Sequence, residues 1–164
     1  ADVAIRMKEP SQADLIRKRL MSVRMCLYAT PDYIRAHGAP ERPEELSGHR
    51  LLCQNPRAPQ VSAGAGLVAK LMTYQPYSTL TVNNYFGVLQ GVLASLGIGV
   101  LPHYLTQDFP DLQRVLPEVE SNEVPVFLAY PEELRQSRRI AAFRDFVQGE
   151  IVAQRRQARG TAAE

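Results

Sequence analysis

Residues 83–102, NNYFGVLQGVLASLGIGVLP, constrain the fold more than any other stretch of this sequence. An asparagine at the start can cap a helix, because its side-chain oxygen accepts a backbone N–H of the first turn. The apolar residues at helical spacing are Tyr85, Leu89, Val92, Leu93 and Leu96. Gly97 suits the left-handed position that often follows a last helical turn, and Pro102 cannot donate to a strand ladder, so pairing should end there. The stretch therefore predicts a helix, a tight turn and a buried strand.

Strand and helix patterns alternate along the rest of the chain. In TPDYIRAHG, Thr30 can cap a helix, Pro31 suits its first position and Gly38 can end it. Residues 103–123 are polar and acidic, and we interpret them as a connection. Further strands are predicted at residues 1–7, 15–20, 22–29, 50–53, 78–82 and 124–130, and a long helix from about residue 137. This alternation predicts an α/β fold with a mainly parallel sheet.

Composition excludes several classes of function. A chain of 164 residues with 45% hydrophobic residues can form one domain or two small lobes around a real core. A formal net charge of +2 is too small to indicate a nucleic-acid surface. No apolar run approaches the roughly 20 residues of a membrane span, and no stretch resembles a signal peptide. We therefore expect a cytoplasmic protein without membrane contact. Because a strand pattern begins at the first residue, we also expect further sequence before it.

The segment GAGLVA, residues 64–69, matches the G-x-G-x-x-A pattern of dinucleotide-binding folds. Such a site needs a preceding apolar strand and an acidic residue about 20 residues later for the ribose. Asn83, Asn84 and Tyr85 occupy that window instead. The match therefore favours an ordinary loop over a nucleotide site, and no cofactor is expected.

Reactive side chains give no evidence for catalysis. Cys26 and Cys53 each lie in a predicted strand without a CxxC partner, which favours buried thiols over a redox pair. The three histidines are His37, His49 and His103. They lack HExxH or CxxC companions, so no metal site is expected, and no serine stands in a GxSxG motif. Tyr28, Asp32 and His49 remain as conceivable acid–base groups, but nothing in the sequence pairs them, and we expect no enzymatic activity.

Two glycines lie inside the predicted helix, at Gly87 and Gly91. Each costs about 1 kcal/mol relative to alanine in a helix interior. Close packing of the helix on the sheet would account for them, and room for a ligand or a partner helix is the alternative.

Several of these motifs together resemble the effector-binding domain of LysR-type transcriptional regulators. In that family a strand ending in A-[ST]-P-x-Y leads to a helix, G-x-P-x-x-P-x-x-L-x-x-H follows, and N-[ND] opens a helix ending in G-x-G-[IV]-x-x-L-P. The matching positions are Ala29, Pro31, Tyr33, Gly38, Pro40, Pro43, Leu46, His49, Asn83, Asn84, Gly97, Gly99, Leu101 and Pro102. DVAIR at the start and AYPEELRQSRRIAAFRDFV near the end are also similar to the family. The resemblance therefore covers nearly the whole chain.

The resemblance implies a two-lobed fold like that of type 2 periplasmic binding proteins, with two crossover strands. Residues 1–29 would hold part of lobe I and the first crossover strand, and residues 30–128 would form lobe II. Residues 129–155 would return to lobe I with its C-terminal helix, and residues 156–164 would fray. Because the family has earlier lobe I strands, we expect lobe I to be incomplete. DNA contact is expected only through an N-terminal winged helix-turn-helix, which these residues do not contain.

The function that the resemblance implies is sensing of a small-molecule effector, or co-inducer. Binding in the cleft would shift the population of lobe or dimer arrangements, and the chain would associate with itself as a dimer or tetramer. A periplasmic-type solute-binding protein shares the fold and is the first alternative. A small α/β enzyme is the second, but it would need a cluster of catalytic groups. The sequence just before Ala1 would distinguish these classes. A winged helix there would indicate a regulator, and a secretion signal would indicate a solute-binding protein.

A ligand site is predicted at the carboxyl ends of strands, where a helix N-terminus offers free amides and partial positive charge. Those amides together with Arg6 favour a carboxylate or another small anion. The alternative is that the asparagines only cap the helix, and the two roles can coexist. The predicted ligand-binding residues are Arg6, Met7, Gln54, Asn55, Asn83, Asn84, Tyr85, Val100, Leu101 and Pro102.

Overall fold

Two hydrogen-bonded sheets organise the chain. The computed structural model describes residues 2–7, 14–56 and 64–160. The strands are β1 Ala4–Arg6, β2 Leu15–Val23, β3 Met25–Ala29, β4 Arg50–Gln54, β5 Ser78–Val82, β6 Ile98–Pro102, β7 Gln113–Glu120 and β8 Val124–Pro131. The helices are α1 Pro31–His37, α2 Ala65–Met72, α3 Tyr85–Leu93 and α4 Arg138–Gly160, with short 3-10 helices at Pro43–Gly48, His103–Thr106 and Glu132–Leu134. The elements mix helix and strand, as predicted for an α/β fold.

The chain divides into two units. The first comprises Ala1–Ser22 with Val124–Glu164, and the second comprises Val23–Glu123. The predicted lobe boundaries, at residues 29–30 and 128–129, stay a prediction. None of the helices in the described part of the chain is long and apolar enough to cross a membrane.

The first unit is built on a three-stranded sheet in the order β1-β8-β2. Strand β1 pairs antiparallel with β8, so that Ile5 lies opposite Leu128. Leu128, Tyr130 and Ile140 form its buried core, and Ile140 attaches α4 to the sheet. Helix α4 continues to Gly160, and residues 161–164 of the predicted tail lie outside the described residues.

The second unit is built on a five-stranded sheet in the order β5-β4-β6-β3-β7. Strand β4 pairs in parallel with β5 and β6, whereas β3 pairs antiparallel with both β6 and β7. The sheet is therefore mixed, and the prediction of a mainly parallel sheet holds only for β5-β4-β6.

Strand β7 is the reason for the difference, because residues 103–123 were interpreted as a connection. Only three residues of β7 are buried apolar ones, Val115, Leu116 and Val119, and two exposed residues, Pro117 and Glu118, separate the last of them from the others. Its pairing with β3 also shifts register between Cys26 and Leu27. An irregular edge strand of this kind leaves little alternation for a sequence pattern to detect.

The interpretation of residues 64–69 as a loop was wrong, because Gly64 is the N-cap of helix α2. Leu67, Val68 and Leu71 form the buried face of this helix. Their burial outweighs the low helix propensity of Gly66 in the first turn.

The capping signals of α1 are confirmed. The Tyr33 backbone N–H donates to Oγ1 of Thr30 across 3.2 Å, and Pro31 is the first helical residue. Gly38 ends the helix with a φ of 78°, in the region that favours glycine. The segment Pro43–Gly48 that follows forms a 3-10 helix.

The predicted helix, turn and strand at residues 83–102 are present as α3 and β6. Asn84 is the N-cap, since its Oδ1 accepts the Gly87 backbone N–H across 2.7 Å. The left-handed residue of the turn, however, is Ser95, with a φ of 57°, and not Gly97. Gly97 is required for close approach instead, because an added Cβ would lie 2.5 Å from the Arg50 carbonyl oxygen. Every residue of β6 is buried.

The two glycines of α3 pack closely on the sheet. An added Cβ at Gly87 would lie 3.3 Å from Cγ2 of Val82, and one at Gly91 would lie 3.6 Å from a methyl carbon of Leu52. Packing of helix on sheet therefore accounts for Gly87, whereas a Cβ at Gly91 would fit at an ordinary contact distance.

Candidate functional site

Five of the predicted ligand-binding residues meet at one edge of the second unit's sheet. Strands β4 and β5 run in parallel with Gln54 opposite Val82, so both strands end together. The Asn55 backbone N–H donates to the Val82 carbonyl across 2.9 Å, and Nε2 of Gln54 donates to the Asn83 carbonyl across 3.0 Å. Helix α3 begins immediately after them. Gln54, Asn55, Asn83, Asn84 and Tyr85 therefore surround the amino end of α3, and we call this group the β4–α3 edge.

The two asparagines of the edge differ in their roles. Oδ1 of Asn84 is occupied by the capping hydrogen bond to the Gly87 N–H. Asn83 uses its backbone carbonyl to accept from Gln54, and its side chain is exposed. Capping and ligand contact can therefore be divided between Asn84 and Asn83.

Tyr85 connects the β4–α3 edge to a second helix start. Its hydroxyl accepts the backbone N–H of Gly64 across 3.3 Å, and Gly64 is the N-cap of α2. The amino ends of α2 and α3 are thus neighbours. Since each helix start carries partial positive charge, the edge favours an anion. The sequence did not predict this second helix start, because residues 64–69 were interpreted as a loop.

Gln54 is the most unusual side chain of the edge. It is only 6% exposed, and its Nε2 is satisfied by the Asn83 carbonyl. Its Oε1 is buried and has no hydrogen-bond partner among the described residues. A buried acceptor without a donor is destabilising and uncommon in folded proteins.

The three predicted residues of β6 lie in the same sheet with their side chains in the interior. Strand β6 runs parallel to β4, with Leu52 opposite Gly99, so its carboxyl end lies at the same edge as Gln54. Val100 is 1% exposed and Leu101 is 0% exposed, and Pro102 is also buried. Their part in ligand binding stays a prediction.

The remaining two predicted residues belong to the first unit. Arg6 is the last residue of β1, opposite Phe127 of β8, and it is exposed. Met7 follows it and is half-buried. Their joint contribution with the β4–α3 edge stays a prediction.

A buried tyrosine–histidine pair was missed by the sequence analysis. The Tyr33 hydroxyl and Nδ1 of His49 are 2.9 Å apart, and the side chains are 3% and 7% exposed. Burial raises the pKa of Tyr33 and lowers the pKa of His49, which the nearby His37 lowers further. The pair joins α1 to the start of β4. The sequence did not reveal this pair, because the two residues are distant in sequence and lie in different elements.

Tyr28 forms a second pair of this type. Its hydroxyl is 2.6 Å from Nδ1 of His103, and burial raises the pKa of the tyrosine and lowers that of the histidine. Asp32 forms an ion pair with Arg35 on the surface. Tyr28, Asp32 and His49, the conceivable acid–base groups, therefore have separate partners.

The stability of the second unit should depend on the neutrality of His49. A histidine whose folded-state pKa lies below its usual value binds fewer protons folded than unfolded, so stability is lost as pH falls. We expect the urea midpoint to fall between about pH 7.5 and about pH 5.5, and to fall less in His49→Asn, which keeps an acceptor for Tyr33 but cannot titrate. Equal losses in both proteins would contradict this role of His49.

Both cysteines are free and buried, as predicted. Burial raises the pKa of Cys53 to about 11 and also raises the pKa of Cys26. Thiols that are protonated and buried are poor nucleophiles and poor metal ligands. Within residues 2–7, 14–56 and 64–160, no group of three His, Cys, Asp or Glu residues could hold a metal ion.

A cleft of about 520 Å³ lies elsewhere in the second unit, at the far end of α3. It is bounded by the start of α1, the end of α3 and the loop before β7. Its lining residues are Thr30, Pro31, Asp32, Arg35, Leu93, Ser95, Asp108, Phe109, Pro110, Asp111 and Leu112. None of the predicted ligand-binding residues is among them.

Comparison with known proteins identifies a family. Residues 1–151 match the family model described as the LysR substrate binding domain. An uncharacterized HTH-type transcriptional regulator of Haemophilus influenzae is 23% identical over 133 residues, which cover 79% of this chain and 46% of that protein. The probable HTH-type transcriptional regulator LtrA of Klebsiella pneumoniae is 26% identical over 158 residues, covering 93% and 51%. The chain thus spans about half the length of these relatives.

Solved structures show the same fold. The regulatory domain of CrgA, a LysR-type transcriptional regulator from Neisseria meningitidis, superposes with a TM-score of 0.69 at 23% identity. The match covers 92% of this chain and 75% of that domain. A C-terminal domain structure of a LysR family protein from Agrobacterium tumefaciens matches with a TM-score of 0.68 at 17% identity, covering 92% and 72%. The predicted α/β fold of the two-lobed, type 2 periplasmic-binding-protein type is confirmed.

Proposed function

Because the chain belongs to the LysR substrate binding domain family, we propose that it is the effector-sensing domain of a bacterial LysR-type transcriptional regulator. The family match over residues 1–151 is the observation that carries this proposal. The curated relatives are named as HTH-type transcriptional regulators, which does not favour the alternative of a solute-binding protein. Their names likewise support sensing rather than catalysis. A regulator of this kind acts in the cytoplasm and contacts DNA through a helix-turn-helix segment.

The proposed mechanism is a population shift. An effector that binds one arrangement of the protein more tightly than another moves the equilibrium toward the first arrangement. Because no bond is made or broken, the domain needs only to bind, orient and release its effector. Reciprocal coupling then changes the affinity of the whole regulator for DNA.

We place the effector at the β4–α3 edge and infer that it is a small anion such as a carboxylate. Two neighbouring helix starts supply partial positive charge there, and the exposed side chain of Asn83 supplies donors and an acceptor. Arg6, which is exposed and can form charge-assisted hydrogen bonds with a carboxylate, stays in the proposed set. Met7 and the β6 residues Val100, Leu101 and Pro102 complete the proposed set.

Self-association is part of the proposal. Strand β5 is an edge of the five-stranded sheet; its Leu80 is 41% exposed, and Tyr77, the residue before the strand, is 77% exposed. An exposed sheet edge with apolar side chains favours pairing with another chain. Sedimentation at tens of micromolar protein should show a dimer or tetramer, and a monomer would count against this.

The test of the site is chemical-shift mapping with propionate and benzoate on the intact protein. We expect the backbone amides of residues 83–87 to shift together. Asn83→Ala should weaken binding without changing stability, whereas Asn84→Ala should cost about 1 kcal/mol of stability through the lost cap. Shifts confined to residues outside the β4–α3 edge and Arg6 would reject the site assignment.

A further inference from the structure

One of the two polar atoms of the Gln54 side-chain amide has a hydrogen-bond partner among the described residues, and the other has none. Its Nε2 donates to the Asn83 carbonyl, and its Oε1, attached to the same carbon, has no partner among the described residues. The residue is 6% exposed. The amide therefore contacts the turn that leads from β5 into α3, directly beside the proposed effector site.

The unsatisfied atom is an acceptor, and this sets what it can bind. An amide oxygen accepts a hydrogen bond and cannot donate one, so its partner must be a donor: a hydroxyl, an amine, an amide N–H or a water molecule. The flip that would exchange Oε1 and Nε2 is disfavoured, since it would place two oxygens against each other at the Asn83 carbonyl. The orientation of the amide is thus determined by its neighbour.

The bond from Nε2 to the Asn83 carbonyl accounts for one half of the Gln54 amide, and the packing of β4 gives no reason for the other half. The three residues before Gln54 in the strand, Leu51, Leu52 and Cys53, are buried and apolar. A methionine would fill similar space and remove the unpaired Oε1, but it would also remove the Nε2 donor to the Asn83 carbonyl. A buried polar atom without a partner, next to the start of the nine-residue helix α3, indicates that the partner is supplied by something that binds there.

We propose that Gln54 is a specificity determinant, and that the effector is a carboxylate bearing a hydrogen-bond donor, a hydroxyl or an amino group, which Oε1 accepts. This rests on the proposed function, because it deepens the chemistry of the same site. The carboxylate is held by the helix starts, and the donor is recognised by Gln54. Carboxylates that lack the donor leave Oε1 unpaired and bind more weakly.

The test uses pairs of carboxylates that differ only in the donor: lactate with propionate, 3-hydroxybenzoate with benzoate, and 3-aminobenzoate with benzoate. Calorimetry on the intact protein should show at least one pair in which the donor-bearing member binds about tenfold more tightly or better, since sites that hydrogen-bond a ligand hydroxyl discriminate strongly against its absence. Gln54→Met should bring the two members to equal affinity. Urea unfolding should show that this variant stays folded, with a small loss of stability from the missing donor to the Asn83 carbonyl.

Gln90→Met is the matched control, because Gln90 lies on the exposed face of α3 and the chemical change is the same. It should leave the preference intact. Equal affinities within every pair in the wild type would overturn the role of Gln54. In that case, binding of the carboxylates themselves would still support the proposed function. A preference that persists in Gln54→Met would overturn it as well, and if no carboxylate binds even at tens of millimolar, both proposals fail.

Discussion

Gly97→Ala is expected to destabilise the second unit by about 2–3 kcal/mol, the upper range for overpacking a well-packed interior. The added Cβ would lie 2.5 Å from the Arg50 carbonyl oxygen and 3.1 Å from the Arg50 Cβ. The backbone at Arg50 cannot easily shift away from the added Cβ, because β4 is held by parallel pairing with β5 on one side and β6 on the other. Urea unfolding followed by circular dichroism measures the loss.

Gly91→Ala is the control for this substitution, since both glycines lie in the same helix-to-strand segment. Its Cβ would lie 3.6 and 3.7 Å from the two methyl carbons of Leu52, an ordinary contact distance. Removal of a glycine from the helix interior should therefore stabilise the protein by up to about 1 kcal/mol. Equal effects of Gly91→Ala and Gly97→Ala would show that close approach at Gly97 is not the reason for the glycine.

Leu89→Ala is expected to cost about 2–5 kcal/mol, the range for truncating a buried leucine to alanine. Leu89 is 0% exposed and belongs to the cluster that packs α3 against β3, β4 and β6. Its neighbours in the cluster include Leu52 and Leu101 of the sheet. The substitution would leave a cavity beneath the helix that carries the proposed effector site. Because of this cavity, the midpoint of thermal unfolding should fall strongly.

Phe86→Ala serves as the comparison for Leu89→Ala. Phe86 lies in the same helix but is 62% exposed. A substitution at such a position changes stability by less than about 0.5 kcal/mol. A small loss for Leu89→Ala, comparable with that of Phe86→Ala, would contradict the assignment of Leu89 to the core.

Local signals in the sequence were sufficient for the elements whose ends are determined by neighbouring residues. Thr30 and Gly38 bound α1, and Asn84 caps α3, because capping hydrogen bonds and left-handed residues act within a few positions. The motifs around Tyr33, His49 and Asn83 indicated the family, which the match over residues 1–151 confirms. The gathering of Gln54 and Asn83 at one edge was also predictable, since parallel strands end together.

Tertiary structure alone decided the features that depend on distant residues. The mixed sheet arises because β7 pairs with β3, and the pattern of β7 is too irregular to mark it as a strand. The Tyr33–His49 pair and the contact of Tyr85 with Gly64 join elements that the chain brings together only on folding. The unsatisfied oxygen of Gln54 is the clearest case. Whether a polar atom has a partner depends on everything packed around it, and no sequence pattern records that.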